Sequence, residues 1–145
     1  LLDFNGRTTA YGYDALNRLL SKTPDATLGD VVESFAYTAT GKRATMTDAS
    51  GLTTYTYDSL DRLTAKQTPE GTLGYTYDLA GNVATMVSSN PNGVSVVYTY
   101  DQLNRLATVV DNRLPSGQNT TIYSYDPASN LATVTYPNGV QSSFT

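Results

Sequence analysis

The chain holds 145 residues, 39% hydrophobic and 15% charged, enough for one modest domain and too apolar for a disordered tail. It has no histidine and no cysteine, which removes disulfides, thiolate zinc sites, thiol nucleophiles, Ser-His-Asp relays and imidazole metal ligands together. Nine basic against thirteen acidic side chains leave a net charge of -4, the wrong sign for affinity dominated by nucleic-acid phosphate or an anionic membrane. The most apolar stretch, Val94-Ser95-Val96-Val97-Tyr98, is far short of a membrane span, and Leu1-Leu2-Asp3-Phe4 has neither part of a signal peptide. No nucleic acid, membrane insertion, metal or cofactor is expected, and composition leaves the localisation unknown. Twelve Tyr, no Trp and 23 Thr favour pleated, half-exposed sheet.

The predicted elements repeat from one end of the chain to the other. In order, the first strand of each unit carries Tyr11-Gly12-Tyr13-Asp14, the worn copy Phe35-Ala36-Tyr37-Thr38, then Tyr55-Thr56-Tyr57-Asp58, Tyr75-Thr76-Tyr77-Asp78, Tyr98-Thr99-Tyr100-Asp101 and Tyr123-Ser124-Tyr125-Asp126. The second aromatics are spaced by 24, 20, 20, 23 and 25 residues, as fixed strands joined by loops of changing length would be. Three residues after each Asp or Thr38 stands a residue that tolerates positive φ: Asn17, Gly41, Asp61, Gly81, Asn104 and, less well, Ser129. Asp at the first position of a type I turn and a left-handed residue at the fourth predict a hairpin closed by a bulge. The repeated Asp is thereby explained without chemistry.

Return strands follow at Leu63-Thr64-Ala65-Lys66, Val83-Ala84-Thr85-Met86, Leu106-Ala107-Thr108-Val109 and Leu131-Ala132-Thr133-Val134. A second turn closes the unit at Thr68-Pro69-Glu70-Gly71, Asn90-Pro91-Asn92-Gly93, Leu114-Pro115-Ser116-Gly117 and Tyr136-Pro137-Asn138-Gly139, with Asp3-Phe4-Asn5-Gly6 and Asp48-Ala49-Ser50-Gly51 keeping only the Gly. No helix-length apolar pattern survives between the turns. Residues 1–145 thus form a single array of about six units, near 4–28, 29–48, 49–68, 69–90, 91–116 and 117–138. The fold class is all-β, a curled antiparallel meander of roughly twelve strands, since a sheet that wide normally curls. The two Tyr of each core share one face, with Ala and Thr of the return strands expected beside them.

The nine-residue pattern in Tyr98-Thr99-Tyr100-Asp101-Gln102-Leu103-Asn104-Arg105-Leu106 resembles the YD repeats of the Rhs family, which includes bacterial Rhs toxins, insecticidal toxin complexes and animal teneurins. The resemblance covers nearly the whole chain, in five good copies and one degenerate copy. It implies a long sheet strip within a spiral shell, a structural role without catalysis, and an enclosed polypeptide such as a toxin effector as partner. It also implies flanking repeats of the same larger protein and a secreted or cell-surface setting. The autoproteolytic core of the toxin members is not matched, since Asp126-Pro127 sits inside an ordinary repeat. Both ends read as cut, because Gly139-Val140-Gln141-Ser142-Ser143-Phe144-Thr145 parallels Gly51-Leu52-Thr53-Thr54-Tyr55-Thr56. Edge strands near Thr8 to Tyr13 and Val140 to Thr145 would then invite edge-to-edge self-association.

Other chemistry has less to stand on. Carboxylate pairs carry glycoside hydrolysis, but a dyad is needed once, whereas Asp14, Asp58, Asp78, Asp101 and Asp126 serve five equivalent turns. Arg18, Arg62 and Arg105 recur after the turn and are the candidate glycan-binding row; the plain alternative is pairing with neighbouring Asp. The Tyr rows could stack on sugars, or simply line and pack the sheet. Asn119-Thr120-Thr121 is a sequon that chance explains.

Overall fold

The computed structural model describes residues 1–144, and Thr145, the last residue of the expected C-terminal edge, lies outside the described residues. Two compact units divide at Thr72/Leu73. The first contains β1 (Ala10–Tyr13), β2 (Leu19–Thr23), β3 (Glu33–Tyr37), β4 (Arg43–Asp48), β5 (Gly51–Tyr57) and β6 (Leu63–Thr68); β7 (Gly71–Tyr77) straddles the division. The second continues with β8 (Val83–Ser88), β9 (Ser95–Tyr100), β10 (Leu106–Asp111), β11 (Thr120–Tyr125), β12 (Leu131–Thr135) and β13 (Gln141–Ser143). Within each unit every strand pairs antiparallel with its sequence neighbours, so the all-β meander read from the turn spacing is the observed fold. Among the described residues the strands number thirteen, against the roughly twelve expected. One 3-10 turn, Ala26–Leu28, sits in the long connection between β2 and β3.

Each Tyr-Asp hairpin contains a further bulge in its return strand, beyond the one expected at its turn. Tyr57 opposes Leu63 and Thr56 opposes Ala65, which leaves Thr64 as an extra, bulged residue. The same shift occurs beside Tyr13, Tyr37, Tyr77, Tyr100 and Tyr125. A bulge resets the two-residue alternation, so the neighbours expected for the Tyr rows are corrected. Ala65 and Thr85 pair with Thr56 and Thr76, the residues between the Tyr, on the opposite face. The first aromatics instead face Lys22, Met46, Lys66, Met86, Val109 and Val134. In the second unit the other face carries hydroxyl pairs across strands, Thr76–Thr85, Thr99–Thr108 and Ser124–Thr133, at 2.6–2.7 Å.

The core is thin. Among the described residues only Val96, Val134 and Thr53 are buried, all on the Tyr face. A sheet with so little enclosed apolar volume depends on its backbone ladders and on repeated side-chain contacts between hairpins.

The second turns are not uniform. Asp48–Gly51 and Thr68–Gly71 are two-residue hairpins, with Gly51 at φ 114° and Gly71 at φ 146°. In Asn90-Pro91-Asn92-Gly93 the left-handed residue is Asn92, φ 61°, not the glycine. The proline turn expected from Leu114 starts one residue later, with Gln118 N–H donating to the Pro115 carbonyl. Gly51 is doubly constrained, because a Cβ there would lie 2.8 Å from Cγ of Pro69 in the next turn, whereas Gly139, φ 81°, has nothing within 4 Å. Gly51→Ala should therefore cost about 2 kcal/mol and Gly139→Ala about half of that, read as thermal melts. Equal costs would mean that the two second turns of the first unit do not touch.

Candidate functional site

The first turn of every hairpin is built the same way from five residues. Asp58 N–H donates to the Arg62 carbonyl and Asp61 N–H to the Asp58 carbonyl, both at 3.0 Å. Oδ1 of Asp58 accepts the N–H of Leu60 and of Arg62, and Oδ2 accepts Nε of Arg62 at 2.7 Å. Asp14 with Arg18 and Asp101 with Arg105 repeat this arrangement. Asp78 and Asp126 use the side-chain amides of Asn82 and Asn130 in place of the guanidinium. In the degenerate unit the Thr38 hydroxyl accepts Lys42 N–H. The fourth position is left-handed throughout: Asn17 φ 60°, Gly41 φ 85°, Asp61 φ 60°, Gly81 φ 94°, Asn104 φ 65° and Ser129 φ 69°.

Asp3-Phe4-Asn5-Gly6 requires a correction, since its bonds are those of a first turn. Asp3 N–H donates to Arg7 carbonyl, Gly6 N–H to Asp3 carbonyl, and Oδ1 of Asp3 accepts Asn5 and Arg7 N–H. The signal was present as Asp, then a left-handed residue, then Arg, but the absent tyrosines hid it. This turn brings Leu2 opposite Thr8, and Leu1 and Thr9 exchange two backbone bonds. The start of the expected Thr8–Tyr13 edge is therefore paired.

Within each unit a second layer of contacts ties hairpins to the ones before them. The hydroxyl of the second aromatic donates to a carbonyl at the start of the preceding return strand: Tyr37 to Leu19, Tyr57 to Arg43, Tyr100 to Val83 and Tyr125 to Leu106, at 2.8–3.0 Å. Arg18 lies over the Tyr37 ring at 4.7 Å and Arg105 over Tyr125 at 4.4 Å. The left-handed residue also takes part, with Asp61 accepting from Thr40, Asn104 from Asn82 and Ser129 from Arg105. Burial pushes the Tyr57 and Tyr100 phenols up, so both remain protonated donors at neutral pH. Among the described residues no cluster of three or more Asp or Glu could hold a metal, and no helix is long and apolar enough to cross a membrane.

The motif carboxylates are held below the usual range. The backbone N–H of Arg18, Arg62 and Arg105 is the main cause for Asp14, Asp58 and Asp101, and the Asn82 and Asn130 amides are for Asp78 and Asp126. A lowered native pKa contributes stability that is complete above the unfolded value, about 4, and is lost as pH falls through the native values. The melting temperature should hold from neutral pH down to about pH 5 and fall steeply below about pH 4. A flat profile to lower pH would show that the carboxylates do not hold the turns.

Antiparallel hairpins whose Tyr-x-Tyr-Asp cores both close their own turns and grip the hairpin before them define a YD-repeat shell segment. The teneurin YD-shell family profile matches residues 28–145, and the chain belongs to that family. No curated protein sequence matches significantly. Solved toxin-complex structures share the fold. The TcdB2-TccC3-Cdc42 crystal structure matches at TM-score 0.74 and 22% identity over 97% of this chain and 9% of that one. The Photorhabdus luminescens Tc holotoxin pore matches at TM-score 0.70 and 22% identity over 98% and 8%. TcdB2-TccC3 without its hypervariable C-terminal region matches at TM-score 0.70 and 22% identity over 95% and 8%. The chain thus spans less than a tenth of those chains.

Proposed function

We propose that these residues are a stretch of non-catalytic shell wall, flanked by further repeats, that encloses or presents another polypeptide such as a toxin effector. The observation that carries this reading is the repetition of one interlock. Tyrosine hydroxyl to preceding carbonyl, and left-handed residue to preceding turn, are contacts that join hairpin to hairpin. Such nearest-neighbour terms are how repeat proteins extend. The toxin-complex resemblance supports a wall around a passenger. The glycan reading of Arg18, Arg62 and Arg105 gains nothing here, because Nε of each is already bonded to the motif Asp of its own turn.

The test is protease protection in the full reading frame that contains this segment. A passenger encoded with it should survive digestion until the shell is opened, for example by acid. A passenger digested as fast beside the intact repeats as alone would overturn the enclosing role.

A further inference from the structure

The connection between β2 and β3 interrupts the otherwise tight alternation of turns, and it builds a cleft of about 700 Å³ within the first unit. Asp25 ties this loop to Thr8 and braces it internally. Oδ2 of Asp25 accepts the N–H of Thr8 at 2.7 Å, and Oδ1 accepts the N–H and hydroxyl of Thr27 in the 3-10 turn. Leu28 and Val31 line the cleft, yet they remain 42% and 49% exposed. Unlike Leu60, Leu79 and Leu103, which stand exposed on open turns, these two apolar side chains line a cleft.

The polar lining is unbalanced. The single ammonium, Lys22, is bonded to Glu33 at 2.7 Å. Asp30 has no hydrogen bond or ion pair among the described residues, though its charge lies near enough to help raise the Lys22 ammonium pKa, and Asp48 also lines the cleft with one oxygen on the N–H and hydroxyl of Ser50. The backbone groups of Asp30 and Val31 also enter no hydrogen bond with another described residue. The wall therefore offers three carboxylates against one ammonium, Asp30 among them without a hydrogen bond, beside apolar side chains and open main-chain donors and acceptors.

We propose that this cleft binds a segment of another polypeptide carrying an arginine or lysine next to an aliphatic side chain. The cation meets Asp30 and Asp48, the aliphatic group covers Leu28 and Val31, and the peptide backbone bonds to that of Asp30 and Val31. This goes beyond the shell role, and its failure would leave that reading untouched.

The experiment titrates the 145-residue chain into a fluorescein-labelled peptide of alternating Arg and Leu, with Glu-Leu and Arg-Ser peptides as comparators, and reads anisotropy. Saturable binding of the Arg-Leu peptide is expected. Asp30→Lys should weaken it by about tenfold or more, and Val31→Asn by roughly fivefold. Both positions are exposed, and unchanged melting curves would confirm that the variants fold. Three results would overturn the proposal: no binding of the Arg-Leu peptide, both variants binding it as tightly as the native chain, or Arg-Ser binding as tight as Arg-Leu. The last would reduce the effect to attraction by the net charge.

Discussion

Asn104→Val should lower the melting temperature by roughly 10 °C, from a loss of about 3 kcal/mol. Asn104 sits at φ 65°, where a β-branched side chain is a severe outlier. Its Oδ1 also accepts Nδ2 of Asn82 from the preceding turn, so the substitution removes an inter-hairpin bond as well. Asn104→Gly keeps the backbone conformation and loses only that bond, an exposed one, for about 1 kcal/mol or less. The expected order is native, then Gly, then Val well below both. Equal melting temperatures for Val and Gly would reject the turn geometry on which every hairpin depends.

Tyr125→Ala should cost about 3 kcal/mol, while Tyr13→Ala, the same motif position, should cost about 1 or less. Tyr125 donates to the Leu106 carbonyl at 2.9 Å and lies under the Arg105 guanidinium. Tyr13 is 56% exposed and no hydrogen bond to its hydroxyl is formed among the described residues. Tyr125→Phe separates the two contributions, because it keeps the ring and loses only the hydroxyl bond, for about 1 kcal/mol. If Tyr13→Ala and Tyr125→Ala melt alike, the tyrosine is a strand former and does not couple hairpins. The comparison therefore tests the contact that the proposed wall relies on.

The Tyr-Asp turns were legible because everything they need lies within five residues. An Asx-type carboxylate, a left-handed fourth residue and a cation or amide at the fifth form the turn whatever surrounds it. That rule extends to Asp3-Phe4-Asn5-Gly6-Arg7, which resembles a second turn only because its tyrosines are missing. The second turns were less legible. Proline and glycine announce a turn but permit several geometries, and the left-handed residue fell on Asn92 in one and on Gly117 or Gly139 in others.

The sequence by itself determined the period, the hairpin as the unit, and the all-β class, since those follow from turn chemistry and strand alternation read locally. Only the tertiary structure decided what the repeated side chains are for. The bulge at Thr64 and its equivalents turns Leu63 and Lys66 to the Tyr face and Ala65 away from it, and nothing local distinguishes that register from regular alternation. The tyrosine hydroxyls find carbonyls 14–19 residues away, and Asp61, Asn104 and Ser129 find donors 21–24 residues away. Those partners belong to a different hairpin, so they are fixed only when strands pair and neighbouring turns come into reach.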